Sequence, residues 1–281
     1  MSAFRERLEK KKQAVELALA ACLAGEDSVL FQAMRHAVLS GGKRYRPLLL
    51  LCAAECFGAD EAAALPFACG IELIHNYSLV HDDLPAMDND DWRRGRPTVH
   101  KAFGEPIAIL AGDALLTLAF EVMSGAPGPA ELAPRMAEAA ALIARNAGAL
   151  GMIGGQSLDI GFRPEAEAEP AYEEMILRKT GALIISAAEA GAVLGGASSG
   201  DRACFAEFGK RLGLAFQLRD DIDDTTQEDT RPGFRPNAAA FLGVADARTR
   251  LSDLVRSAVR GLDKAGLLTE ELRALALLLE P

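Results

Sequence analysis

Two clusters of aspartate stand inside apolar stretches of the chain, and their carboxylates are the side chains best suited to chemistry. The first cluster runs from Asp82 to Asp88, and the second runs from Asp220 to Asp224. Carboxylates among core-forming residues repel each other and lose hydration, so a fold tolerates them when a cation lies between them. Either cluster alone could also be a solvated acidic patch. Together they predict a metal-dependent enzyme that acts on diphosphates, because Mg²⁺ prefers oxygen ligands.

The spacing within each cluster predicts how the carboxylates are presented. At about 100° per residue of helix, Asp220 and Asp224 lie one turn apart on one face, with Asp221 beside them. On a regular helix, Asp82 and Asp88 would point in different directions. Pro85 interrupts that helix, so we expect the chain to fold Asp88 back toward Asp82.

Basic residues accompany the aspartates. The segment GGKRYRP places Lys43 and Arg46 after two glycines, where free backbone amides favour an anion. Arg93 and Arg94 follow the first cluster closely. A metal-bridged diphosphate fits this mixture, because its oxygens can be shared between Mg²⁺ and guanidinium groups. Each segment could alternatively be a solvated turn or a plain patch of salt bridges.

Composition predicts the architecture that must position these residues. The 281 residues are 50% hydrophobic and only 6% aromatic, and apolar residues recur with helical spacing, which indicates an all-α protein with one domain over residues 1–281. We expect the segments 151–155 and 225–237 to be non-helical. Helices are predicted at about residues 3–24, 28–39, 47–57, 60–83, 105–124, 129–150, 171–195, 201–224, 238–260 and 268–279.

Charge and cysteine content narrow the class of protein. A net charge of −10 argues against nucleic acid as a partner, because a phosphate backbone would be repelled over most of the surface. The start of the chain lacks the apolar run of a signal peptide, and no convincing membrane span is predicted. The five cysteines form no CxxC pair and are typical of small core residues in a reducing compartment. A cytoplasmic location is therefore expected.

The order of several motifs resembles that of trans-isoprenyl diphosphate synthases, in particular the bacterial farnesyl/geranylgeranyl branch. The resemblance covers roughly residues 30–225. It implies an isoprenoid-synthase-type all-α helical bundle around a central cavity, a homodimer, and three Mg²⁺ ions between two aspartate-rich helices. The motifs are GGKRYRP, HDDLPAMD, RRGRPTVH, AGDALL, GGQSLD, KTGALI and FQLRDDIDD.

The resemblance also implies a role for individual residues. The expected catalytic residues are Asp82, Asp83, Asp88, Lys179, Asp220 and Asp221. The expected metal ligands are Asp82, Asp88, Asp220 and Asp224. An allylic diphosphate is expected on Arg93, Lys179, Thr180 and Gln217. Isopentenyl diphosphate is expected on Lys43, Arg46, His75 and Arg94, although His75 could equally be a hydrogen-bonded core histidine.

The implied reaction is condensation of isopentenyl diphosphate with dimethylallyl or geranyl diphosphate to give farnesyl diphosphate. Tyr77 and Ser78 precede the first cluster by about one turn, where the resemblance places the floor of the prenyl pocket. Tyr77 would block that pocket and favour a C15 product, or it could simply fill the core. A C20 product, geranylgeranyl diphosphate, is the alternative.

The resemblance weakens after Asp224. The family usually carries a glycine-lysine loop there, whereas this chain has no lysine between Lys210 and Lys264. Arg235 could replace one of the lost diphosphate contacts. A catalytically weak paralogue that binds prenyl diphosphates therefore stays open, as does a terpene cyclase, although a cyclase has no use for the second diphosphate site at GGKRYRP.

Overall fold

The structure, a computed structural model, describes residues 3–161, 169–227, 239 and 242–280. Within these ranges the chain is almost entirely helical, which confirms the predicted all-α class. The helices, in chain order, are α1 (Ala3–Cys22), α2 (Val29–Val38), α3 (Tyr45–Glu55), α4 (Glu61–Asp82), α5 (Val99–Phe103), α6 (Glu105–Ser124), α7 (Ala133–Ala147), α8 (Met152–Gly161), α9 (Glu169–Ile176), α10 (Ala182–Gly195), α11 (Ser199–Gln227), α12 (Val244–Lys264) and α13 (Glu270–Leu277).

Helices α3, α4 and α10 form the centre of the bundle. Helix α4 begins where the Asp60 side chain accepts a hydrogen bond from the Ala62 amide, which satisfies one of the free N–H groups of its first turn. Apolar residues then face neighbours on nearly every side of α4. It packs against α6 and α3, while α10 packs against α3, α7 and α11. The long α11 joins the bundle through its contacts with α10 and α12.

Paired glycines in the segment 151–155 allow close packing and do not break the helix. Residues from Met152 onward form α8, so the prediction of a non-helical stretch is wrong for residues 152–155, whereas Gly151 lies in the turn before the helix. A Cβ atom at Gly155 would lie 2.1 Å from the backbone nitrogen of Lys179. Because Gly155 has no side chain, α8 can pack directly against the segment that carries Lys179. This packing offsets the low helix propensity of glycine.

The predicted helix over 171–195 contains an irregularity that the sequence did not indicate. Between α9 and α10, residues Leu177–Gly181 form a π-helical segment. Such bulges widen one turn of a helix and are frequent at functional sites. Here the widened turn carries Lys179 and Thr180, two of the predicted diphosphate-binding residues.

The break after α4 has the predicted form. The Asp88 amide donates a hydrogen bond to the Asp82 carbonyl at 2.8 Å, which confirms that the chain folds back after Pro85. A two-stranded antiparallel hairpin follows, with β1 (Trp92–Arg93) paired to β2 (Arg96–Pro97). The sequence pattern did not predict this hairpin.

Helix α11 extends further than predicted, and α6 is both long and apolar. Helix α11 continues to Gln227, so residues 225–227 are helical and that part of the loop prediction is wrong. The remainder of the segment up to 237, including Arg235, lies outside the described residues. Among the described helices, α6 alone is long and apolar enough to cross a membrane by length and composition, and a third of its most apolar window is buried.

We expect Gly155→Ala to lower the free energy of unfolding by about 1–3 kcal/mol, the usual cost of overpacking, because the new methyl group meets backbone atoms. Gly161→Ala on the same helix is the matched control, since a Cβ there meets nothing within 4 Å. Thermal or urea unfolding of both variants measures the difference. Equal stability of the two variants would contradict the close packing.

Candidate active site

A cavity of about 550 Å³ lies at the C-terminal end of α4, between α4, α6, α8 and α11. Its wall combines apolar side chains with charged ones, as a pocket for an amphipathic ligand requires. Nine predicted site residues line it: Arg46, His75, Tyr77, Ser78, Asp82, Lys179, Thr180, Gln217 and Asp220.

Asp82 and Asp220 bring carboxylates to the cavity from two different helices. Burial is the main cause that raises the pKa of Asp82 to about 6, and neighbouring Asp88 acts in the same direction. Burial likewise raises the pKa of Asp220 to about 6, with Asp224 contributing. The side-chain carboxylates of Asp82 and Asp220 have no hydrogen bond or ion pair to another described residue. Their oxygens are thus available to a cation.

The basic residues after α2 approach the same end of the bundle. Arg46 is buried, its guanidinium lies 5.5 Å from the ring centre of Phe216, and its Nε has no partner among the described residues. Burial lowers the pKa of Arg46, while Asp220 opposes this effect. Lys43 is exposed but close enough to Asp220 to lower the pKa of that carboxyl. Burial, and then Arg46, lower the pKa of His75, which favours the neutral imidazole.

The π-helical segment supplies the opposite wall. Lys179 Nζ lies 2.5 Å from an Asp159 oxygen on α8. The Thr180 hydroxyl donates to Gln217 Oε1 at 2.8 Å, and Gln217 Nε2 donates to Asp221 at 2.8 Å. The second oxygen of Asp221 accepts a hydrogen bond from the Tyr172 hydroxyl at 2.8 Å. This chain fixes the orientation of Thr180 and Gln217 at the cavity.

Three of the predicted catalytic carboxylates, Asp83, Asp88 and Asp221, do not line the cavity, and two of these are buried. Asp83 is 3% exposed and holds Arg93 in an ion pair, with Arg93 Nε at 2.7 Å from one Asp83 oxygen. Asp221 is equally buried and is held by Gln217 and Tyr172. Arg93 also contacts Asp90, on the hairpin side of α4. Asp83 and Asp221 therefore position neighbouring groups in this structure.

The remaining predicted residues do not line the cavity. Asp88 and Asp224 are exposed, and each is near enough to the buried aspartate of its cluster to raise that residue's pKa. Arg94 donates to the Gly41 carbonyl at 2.6 Å and lines a small second cavity with Asp83 and Arg93.

Sequence reasoning assigned no role to several residues that line the cavity or hold its wall. Both polar atoms of the Gln156 side chain are buried without a partner among the described residues. Asp159 pairs with Lys179, and Phe216 contacts Arg46. The motifs GGQSLD and FQLRDDIDD contain these residues, but nothing in the sequence shows which of their side chains face inward.

The carboxylates fit a metal that is shared with a substrate. No group of three or more histidine, cysteine or carboxylate side chains is clustered closely enough to hold an ion alone within the part of the chain that the structure describes. Mg²⁺ characteristically takes one or two protein carboxylates and completes its shell with water and phosphate oxygens. Asp82 and Asp220, desolvated and without partners, suit that arrangement.

Comparison with known proteins identifies the family. The model of the family described as polyprenyl synthetase matches residues 27–233. The chain belongs to the polyprenyl synthetase family. This membership confirms the predicted resemblance to short-chain trans-isoprenyl diphosphate synthases, and with it the predicted enzyme class, a prenyltransferase.

Individual members of the polyprenyl synthetase family are similar over most of the chain. Farnesyl diphosphate synthase of Geobacillus stearothermophilus is 40% identical over 92% of this chain and 91% of its own length. Geranylgeranyl pyrophosphate synthase 12 of Arabidopsis thaliana, a chloroplastic protein, is 42% identical over 80% of this chain, which spans 63% of that protein.

Solved structures show the same bundle. The geranyltransferase of Helicobacter pylori superimposes with a TM-score of 0.89 at 31% identity and covers 99% of both chains. An FPP/GFPP synthase of Zymomonas mobilis superimposes with a TM-score of 0.84 at 35% identity and covers 97% of both chains. The predicted isoprenoid-synthase type of helical bundle is therefore confirmed.

The two adjacent aspartates of the first cluster should respond oppositely to neutralisation. Asp83→Asn breaks a buried ion pair with Arg93 and should destabilise the protein by about 3 kcal/mol. Asp82→Asn removes a desolvated carboxylate that has no partner, so it should leave the melting temperature unchanged or raise it. Calorimetry in metal-free buffer at pH 8 checks both, and a larger loss for Asp82→Asn would count against the assignment.

Proposed function

We propose that this prenyltransferase condenses isopentenyl diphosphate with dimethylallyl and geranyl diphosphate to make farnesyl diphosphate in a Mg²⁺-dependent reaction. The supporting observation is that one cavity collects two desolvated aspartates and two separate sets of anion-binding groups. One set comprises Arg46 and His75, and the other is Lys179, with Thr180 beside it in the cavity wall. Two diphosphates can therefore reach the same apolar space.

The residues divide between the two diphosphates in this proposal. Asp82 and Asp220, together with Asp88 and Asp224, hold Mg²⁺ against the allylic diphosphate. Bound Mg²⁺ supplies the charge neutralisation that makes diphosphate a good leaving group. The family resemblance implies three Mg²⁺ ions at this site.

Cationic side chains complete both diphosphate sites. Lys179 contacts the allylic diphosphate, and Asp159 holds the Lys179 ammonium in place. Arg93 approaches the same diphosphate from the hairpin. Isopentenyl diphosphate lies on Lys43, Arg46, His75 and Arg94, without a metal of its own.

The chemistry needs no protein nucleophile. The allylic C–O bond breaks and its electron pair leaves with the diphosphate, which produces an allylic cation. The alkene of isopentenyl diphosphate attacks that cation, a new C–C bond forms, and a proton leaves the neighbouring carbon toward the departed diphosphate. The Thr180 hydroxyl and the Gln217 amide oxygen, fixed by their mutual hydrogen bond, present oxygen dipoles at the cavity where the cation develops.

The first test is a product assay with purified protein, isopentenyl diphosphate and each allylic diphosphate, with and without Mg²⁺. Asp220→Ala should lower the rate of condensation about a hundredfold to a thousandfold, because it removes a charge-stabilising contact in a low-dielectric site. Asp223→Ala is the matched control in the same cluster, since Asp223 pairs with Arg219 outside the cavity and its loss should change the rate less than about tenfold. Equal activity of both variants with Mg²⁺ would refute the assignment of Asp220.

Tyr77 supports a C15 product. Its ring lines the cavity beside the first aspartate cluster, its hydroxyl is buried, and it packs edge to face against His81 with ring centres 5.8 Å apart. A ring fixed in this way limits the space for a growing prenyl chain. Ser78, on the same wall, is small and donates to the His75 carbonyl, so it does not limit that space.

Tyr77→Ala should therefore shift the main product from C15 to C20 or longer, because it opens the wall of the cavity. Mass spectrometry of the extracted prenyl alcohols measures the chain length. Tyr77→Phe keeps the ring and should keep the C15 product. An unchanged product from Tyr77→Ala would mean that another residue sets the limit.

A C20 product is the second candidate, because the plant protein called geranylgeranyl pyrophosphate synthase is 42% identical to this chain, although the chain spans only 63% of that protein and 91% of the bacterial relative. The assay on the unmodified protein decides between them. A protein that binds isopentenyl diphosphate but forms no product would instead be the weak paralogue predicted from the segment after Asp224.

We further propose that the protein is a cytoplasmic homodimer in which α6 lies at the interface. Ile109 and Leu110 of this helix are about half exposed, and an apolar face of this kind is commonly covered by a partner. Ile109→Glu should convert a dimer to a monomer in light scattering, whereas Leu17→Glu at another exposed leucine should not. If the unmodified protein is a monomer, the dimer is excluded and the exposed apolar face of α6 is not a dimer interface.

A further inference from the structure

A buried polar network lies directly behind the residues proposed to bind isopentenyl diphosphate. Its centre is Arg44, whose side chain is 0% exposed and cannot reach a substrate. Arg44 Nε and Nη2 donate to the two oxygens of Glu16 at 2.8 and 3.1 Å. Nη1 donates to Glu72 at 2.7 Å, and Nη2 also donates to the Val38 carbonyl at 2.7 Å. One guanidinium thus joins α1, the end of α2 and α4.

The network continues along α4 to the hairpin. Glu72 is 2% exposed and also accepts from the Asn76 amide, 3.4 Å from Nδ2, while the Glu72 carbonyl accepts from the same nitrogen at 2.8 Å. On its other side, Asn76 Oδ1 accepts from Arg94 Nη1 at 3.4 Å. Arg94 Nη1 in turn donates to the Gly41 carbonyl at 2.6 Å. The chain of contacts therefore returns to the loop in which it began.

The loop that this network closes carries the proposed diphosphate ligands. Gly41 and Gly42 have positive φ values of 90° and 148°, and a Cβ at Gly42 would lie 3.4 Å from the Arg94 guanidinium. Arg44 itself has φ of 51°, an uncommon value for a residue with a side chain, and it forms the N-terminal cap position of α3. Lys43 precedes Arg44, and Arg46 lies in the first turn of α3. The left-handed Arg44 therefore joins the loop that carries Lys43 to the first turn that carries Arg46.

The Glu72 carboxylate also compensates the positive charge of neighbouring arginines. Burial lowers the pKa of both Arg46 and Arg94, and the Glu72 carboxylate is the largest charge that opposes this lowering. Without it, three arginines would face each other at one end of the bundle. A buried counter-ion behind the cluster keeps the outward N–H groups of Arg46 and Arg94 free for an anion.

We propose that Arg44, Glu72 and Asn76 are positioning residues that set the affinity for isopentenyl diphosphate without touching it. The inference rests on the proposed function and deepens it. The network lies behind one of the two diphosphate sites only. Its loss should therefore affect isopentenyl diphosphate selectively and leave the allylic diphosphate on Lys179 and the aspartates largely unaffected.

Arg44→Lys is the main test, because it preserves the charge and removes the fork of hydrogen bonds. We expect the KM for isopentenyl diphosphate to rise about tenfold, the effect of weakening one charge-assisted contact. The KM for geranyl diphosphate and kcat should stay within about threefold. Arg211→Lys is the matched control, since Arg211 also joins a carboxylate, Glu207, and a carbonyl, Ser257, but between α11 and α12.

Asn76→Ala is the second variant, because it separates Arg94 from Glu72 and leaves the contacts of Arg44 with Glu16 intact. The same selective rise in KM is expected, and the Arg44→Lys/Asn76→Ala double variant should be less impaired than the sum of the two effects, since both act through one network. Metal-free titration with isopentenyl diphosphate, followed by fluorescence of Trp92, the sole tryptophan of the chain, gives the affinity independently of turnover.

The outcomes separate this inference from the function on which it rests. No product from the unmodified protein would overturn the proposed function. An active unmodified protein whose Arg44→Lys variant shows unchanged KM values, or equal increases for both substrates with a lower melting temperature, would overturn the positioning role alone and leave Arg44 as a purely structural residue.

Discussion

Repulsion between desolvated carboxylates at one end of the bundle is the constraint on which the rest of the site depends. Asp82 is the last residue of α4, where the helix dipole adds a partial negative charge, and Asp220 meets the same cavity from α11. Neither carboxylate has a partner among the described residues, so cations must be supplied nearby. Lys43 and Arg46 come to that end from one segment, and Lys179 comes from another. Both segments have an irregular backbone, with positive φ values at Gly41, Gly42 and Arg44 and a π-helical turn at Leu177–Gly181.

The polar groups behind the cavity are held more firmly than those that face it. Asp83 and Asp221 occur beside Asp82 and Asp220 in the sequence, yet both are saturated by neighbours, as is Arg44. In contrast, Arg46 Nε and the Gln156 amide have no partner among the described residues. A preorganised site requires both kinds of group. The saturated groups behind the cavity fix its geometry, and the unpaired groups that face the cavity keep their hydrogen-bonding capacity for a ligand.

The sequence predicted the features that depend on local pattern and missed those that depend on packing. Apolar periodicity is long enough to place most helices, and Pro85 was sufficient to predict the turn at Asp88. The glycines before Gln156 were misread, because their effect on α8 comes from contact with Lys179, distant in sequence. Adjacent helical residues point about 100° apart, so only one of Asp82 and Asp83 can face the cavity. Arg93, which lies beyond the end of α4, pairs with Asp83, and Asp82 is therefore the residue that faces the cavity.

The main-chain bond between the Asp88 amide and the Asp82 carbonyl makes the first aspartate cluster tolerant of change in length. The bond closes a short loop on the last residue of α4, and no side chain of Leu84, Pro85, Ala86 or Met87 takes part in it. Lengthening a surface loop costs little closure entropy. Residues can therefore be gained or lost between the two carboxylates while α4 and Asp82 keep their places, so the spacing of the cluster can diverge independently of the helical scaffold.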